Sequence, residues 1–146
     1  MRIDRVILSF VGLVGVGLLA AGPAWAHHAF SAEFDANHPI KVRGTLVKVE
    51  WTNPHSWFYI EAKGPDGNVE LWKFEGGAPG ALTRRGFTKD YLKPGTELIV
   101  EGFLSKGVPR RANARSMTYP DGRVLFVGSS GTGAPSDGRD PSEPRR

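Results

Sequence analysis

From Lys41 onward, apolar and polar residues alternate in short runs separated by turn residues, the period of half-buried strands rather than of helices. In "KVRGTLVKVEW" the alternation places Thr45, Val47, Val49 and Trp51 on one face and Lys48 and Glu50 on the other. "TNPH" ends that strand, because Pro54 lacks an amide donor and disfavours the helical region at Asn53. "SWFYIEAK" and "VELWKFEG" flank "GPDGN", where Pro65 presets φ and Gly67 accepts a positive φ, so the two runs predict a hairpin. "TELIVEGFLSK" alternates again, and "ARSMTY" and "RVLFVG" around "PDG" predict a last hairpin. Between the third and fourth strands the period is lost. "APGALTRRGFTKDYL" has few β-branched residues, and Pro79 and Gly86 frame a short helix over Pro79–Arg85, with a further helical turn at Thr88–Leu92.

Three strands, one short helix and two or three more strands are the order of a small all-β, OB-like Greek-key barrel of five or six strands, with the helix between strands three and four. Gly44 and Gly102, inside strands, supply the sharp bends such a barrel needs. The predicted domain spans 41–128. Residues 27–40 form a leader segment, in which Phe30 and Phe34 are spaced to pack on the barrel. Residues 129–146 are Gly, Ser, Pro and charges that bury no apolar face, and they predict a disordered tail.

The first 26 residues read as a secretory signal: Arg2 and Arg5, an uncharged apolar run, then Ala24-Trp25-Ala26 as the cleavage tripeptide. The run from Val6 to Gly22 is 17 residues long, near the lower limit for a membrane span, and Pro23 with the small-residue tripeptide favours cleavage. Cleavage after Ala26 gives a periplasmic or secreted protein with no stable membrane anchor. The formal charge of +4 is too mild to announce a nucleic-acid ligand, and none is expected in that compartment. The absence of cysteine excludes disulfides and thiolate metal sites.

The candidate chemistry gathers near the front of the mature chain. All four histidines, His27, His28, His38 and His55, fall within the first 55 residues. A mature N-terminal His27 offers its amine and its ring as a bidentate pair, and a further imidazole completes a three-nitrogen histidine brace, which suits copper(II). His55 is the candidate third donor, with His28 or His38 as substitutes; Glu33 and Asp35 are candidate supporting carboxylates. The opposing reading is a solvated terminal pair and a His38 that belongs to a turn. "EWTNPHSWFY" is the densest aromatic stretch, and on the OB reading it contains the loop joining strands one and two, which lines the ligand face in such barrels. Trp51 and Trp57 are placed to stack on a ligand, with Asn53 and His55 giving hydrogen bonds; equally, Trp51 continues a core face and Asn53 caps a turn. Arg110 and Arg111, with Arg84, Arg85 and Arg115, supply a basic surface for an anionic or carbohydrate envelope partner, or a merely solvated face. No catalytic triad, phosphate loop or Gly-x-Ser-x-Gly motif is present, and the residues point to binding rather than catalysis.

"AHHAFSAEFD", "GTLVKVEWTNPHSW", "WKFEGGAPGALTRRGFTKDYLKPG" and "RANARS…PDGR" together resemble a family of small exported bacterial proteins classed as a domain of unknown function. The resemblance implies an exported OB-like barrel and no particular activity.

Overall fold

Where the alternation predicts strands, strands form. In a computed structural model that describes residue 30 and residues 32–128, the elements are β1 (Phe34–Glu50), β2 (Trp57–Lys63), β3 (Val69–Glu75), α1 (Pro79–Arg84), β4 (Glu97–Ser105), β5 (Arg111–Thr118) and β6 (Val124–Phe126). The expected signal segment, His27, His28 and the expected tail lie outside the described residues. Among the described residues, no helix is long and apolar enough to cross a membrane.

The long strand β1 organises the sheet. It pairs antiparallel with β4 through Phe34–Thr45 and with β2 through Gly44–Glu50. Gly44 stands where the two partners overlap, opposite both Ala62 and Leu98, and a Cβ there would lie 2.2 Å from the Glu61 carbonyl oxygen. The six strands run in the order β3-β2-β1-β4-β5-β6, and a parallel pairing of Lys73–Glu75 with Arg111–Asn113 joins β3 to β5 and closes the sheet into a barrel-like form. This is the OB-like order, with α1 between β3 and β4 as expected. Because β1 begins at Phe34, residues 34–40 of the leader continue the first strand.

The core fills the closed sheet with Leu46, Phe58, Ile60, Phe74, Val100, Met117 and Val127, all fully buried. One expected face is corrected. A register shift between Leu46 and Lys48 leaves Val47 without an opposite residue in β2, a bulge that inverts the phase of β1. Leu46, not Thr45 or Val47, points inward before the bulge, while Val49 and Trp51 pack against the core after it.

α1 runs Pro79–Arg84, starts on proline, and buries Leu82 in the core. The Arg85 amide closes its end on the Ala81 and Leu82 carbonyls. Residues 88–92 make a single turn, with the Tyr91 amide donating to the Thr88 carbonyl, instead of the expected helical turn. So short a segment gains too few bonds to offset helix nucleation, and burial of the flanking Phe87 and Leu92 sets its path instead.

Gly102 is the tightest crossing: a Cβ there would sit 2.0 Å from the Asn113 backbone oxygen, against open space at Gly107. Gly102→Ala should therefore destabilise the protein by about 1–3 kcal/mol in urea unfolding, whereas Gly107→Ala should stay within about 0.5 kcal/mol of the parent.

Candidate functional site

The closure of β3 onto β5 lines up two rows of side chains across the outer face. In one row Lys48 opposes Tyr59, Tyr59 opposes Lys73 and Lys73 opposes Arg111. In the next, Glu50 opposes Trp57, Trp57 opposes Glu75, Glu75 opposes Asn113 and Asn113 opposes Phe103. These rows face outward because the residues between them, Phe58, Phe74 and Ala112, belong to the core.

An outer face should be wet, yet Glu75 is 5 % exposed and Asn113 only 1 %. The leader accounts for this. The Phe30 ring lies 5.7 Å from the rings of both Phe34 and Phe103, Glu33 forms an ion pair with Arg111, and the Lys106 amide donates to the Glu33 carbonyl. The leader thus packs an aromatic cluster against the rows and supplies a carboxylate to them.

Glu75 is the hub of the resulting network. Its Oε1 is 2.7 Å from His55 Nδ1, and its Oε2 is 3.4 Å from Arg111 Nη2, the nitrogen that also holds Glu33. Burial pushes the Glu75 carboxyl above its ordinary value; the His55 charge opposes this, the Glu33 charge reinforces it, and Arg111 opposes it. His55 reaches Glu75 because its loop is tied down. Thr52 Oγ1 donates to the His55 carbonyl, the Ser56 amide donates to Gly77 and the Gly76 amide donates to Ser56. The His55 side chain stays 40 % exposed, and in the neutral ring beside an ionised Glu75 the proton sits on Nδ1, which leaves Nε2 as an acceptor.

Trp57 lies beside the network. Lys73 Nζ is 4.2 Å and Arg111 Cζ 4.9 Å from its ring centroid, and Arg111 is also 5.8 Å from Phe34. Among the described residues, three buried polar atoms at this end find no hydrogen-bond partner: Arg111 Nε, Asn113 Oδ1 and Ser56 Oγ.

Of the residues singled out by sequence, His55, Trp57 and Arg111 come together here, and Glu33 joins them. Trp51 is partly buried against the core, and Asn53 is exposed before a cis bond to Pro54. Arg110 pairs instead with Glu70 at 3.4 Å, and its backbone φ of 53° turns the chain into β5. His38 pairs with Asp35 at 2.7 Å on the exposed part of the leader. Arg85 serves the fold, donating to the Phe126 and Gly128 carbonyls. Sequence reasoning missed Glu75, Lys73 and the placement of Asn113. Among the described residues, no group of three or more His, Asp or Glu side chains converges to hold a metal ion; His55 with Glu75 is a pair.

Fold and site together define a small closed-sheet β protein whose charged and aromatic cluster sits on the outside of its closure, beneath its own leader. Residues 16–113 match a family of unknown function, DUF6152, and the chain belongs to that family. No curated protein matches the chain.

The raised Glu75 carboxyl has a signed consequence. Stability from this group is full below the unfolded value of 4.5 and is lost as pH rises through the higher folded value. Glu75→Gln abolishes the titration, so urea midpoints between pH 4 and 8 should show the parent losing stability relative to this variant as pH rises. Parallel curves would show that burial does not govern this carboxyl.

Proposed function

We propose that this is an exported periplasmic protein that binds a divalent metal ion, copper foremost, through His55 and the histidines of its mature N-terminus. The observation that carries the reading is the His55–Glu75 pair. A carboxylate on one imidazole nitrogen fixes the ring and raises the basicity of the other, the support that metal-binding histidines generally have. Here the carboxylate is buried and the ring is accessible, so Nε2 is the donor atom left for an ion.

The leader supplies the remaining donors. Glu33 meets Arg111 at the nitrogen that also touches Glu75, so the leader runs into the His55 network. His27 lies six residues before Glu33 in sequence, and a chain of that length spans at most about 20 Å. Cleavage after Ala26 makes the amine and ring of His27 a chelating pair, with His28 as a further imidazole. Nitrogen donors of this kind suit copper(II) above other divalent ions of the first transition row. No group in the cluster is placed as a nucleophile with an adjacent base, and the role is binding rather than catalysis.

Calorimetric titration of copper(II) into protein beginning at His27, with that terminus verified by mass spectrometry, tests the reading. One equivalent should bind. One extra Ala ahead of His27, and His55→Ala, should each weaken binding more than about tenfold, and Glu75→Gln by about tenfold or more. Binding that ignores both the added Ala and the loss of His55 would sink the metal reading.

A further inference from the structure

Lys73 and Arg111 present a feature that metal binding does not use. They are direct neighbours across the parallel pairing of β3 and β5, and like charges placed opposite each other on adjacent strands repel. Both also lie against one indole, that of Trp57. Arg111 is compensated by Glu33 and Glu75. Among the described residues Lys73 has no carboxylate within ion-pair distance; it lies over the rings of Trp57 and Tyr59, the latter at 5.5 Å, and feels the Glu50 carboxylate only at longer range.

The guanidinium is incompletely used as well. A carboxylate or phosphate engages arginine best through two parallel bonds, as from Nε and one terminal nitrogen. Glu33 shares the terminal nitrogen with Glu75, while Nε is buried and has no partner among the described residues. Glu33 is itself 43 % exposed and belongs to the leader, whose hold on the barrel also rests on the Phe30, Phe34 and Phe103 rings and on the Lys106 amide. Its carboxylate can leave Arg111 without the leader leaving the sheet.

We propose that Lys73, Arg111 and Trp57 form a binding subsite for a small oxyanion, a carboxylate or a phosphate, for which Glu33 of the leader is the internal competitor. The incoming anion takes Nε and the terminal nitrogen of Arg111 and turns an oxygen toward Lys73 Nζ, which relieves the repulsion between the two cations. Trp57 walls the subsite and excludes water from one side of it. The subsite stands on these residues and needs no metal at His55.

The test uses the full mature chain, freed of metal on a chelating resin, in proton–nitrogen NMR titrations with malonate and with inorganic phosphate, against chloride at matched ionic strength. The Arg111 Nε–H and Trp57 indole N–H resonances should shift saturably with malonate, phosphate or both, and the stronger of the two identifies the source of the oxyanion. Lys73→Met should weaken binding about tenfold, and Glu33→Gln should tighten it about tenfold, because one removes a charge-assisted contact and the other removes the competitor. Both residues are half-buried, and the dispersion of each variant's spectrum verifies its fold. Shifts no larger than those with chloride overturn the proposal. So does a Glu33→Gln variant that binds no more tightly than the parent, whatever Lys73→Met does.

Discussion

Three residue pairs between β3 and β5 set the arrangement of everything on the outer face. Parallel neighbours carry their side chains on the same side, so pairing Lys73–Glu75 with Arg111–Asn113 puts Lys73 beside Arg111 and Glu75 beside Asn113 in one step. A slip of one residue by β3 would send Glu75 into the core and expel Phe74, and a slip by β5 would do the same with Arg111 and Ala112. The burial of Phe74 and Ala112 therefore enforces the polar cluster outside. Hydrophobic packing fixes the register, and the register fixes the chemistry.

The second constraint is the cover. An ionised carboxylate on an open sheet face stays hydrated, but Glu75 lies under the leader and loses most of its water. Its compensation comes from His55 on one oxygen and Arg111 on the other, the two partners that a buried charge requires. Arg111 in turn divides itself between the buried carboxylate and the exposed one of Glu33. The leader's Glu33 thus repels the Glu75 charge and draws on the guanidinium that offsets it, and whatever moves Glu33 is felt at Glu75 through Arg111.

The strands, the helix at Pro79 and the closing order were legible in the sequence because each has a local signal: alternation, a proline at a first turn, glycines at crossings. Gly44 and Gly102 stand where backbones pass too closely for a side chain, as their positions inside strands implied. The phase of β1 was not legible, since nothing in "GTLVKVEW" marks Val47 as the extra residue; only pairing with β2 reveals it. Half of the site could be read from residue type, in the loop histidine, the tryptophan and the arginine. Glu75 could not, because alternation along "VELWKFEG" assigns it to the wet face, and its burial comes from a segment some forty residues away in sequence. Arg110 looked equivalent to Arg111, but one step along a strand turns a side chain to a different set of neighbours, and it meets Glu70 instead.

The bulge at Val47 gives β1 two phases. Ahead of it, even-numbered positions such as Ile40, Val42 and Leu46 face the core; behind it, the odd-numbered Val49 and Trp51 do. Beyond that surplus residue Lys48 stands in the cationic row and Trp51 stands against the interior. What the strand carries at this point is a spare residue rather than a required side chain. Position 47 has room to drift in identity, since no residue of β2 stands opposite it, and its loss would leave Lys48 directly after Leu46 with every other residue still opposite its own partner, Lys48 and Glu50 outside and Val49 inside. The bulge is thus a place where β1 can shorten by one residue without exchanging inside for outside.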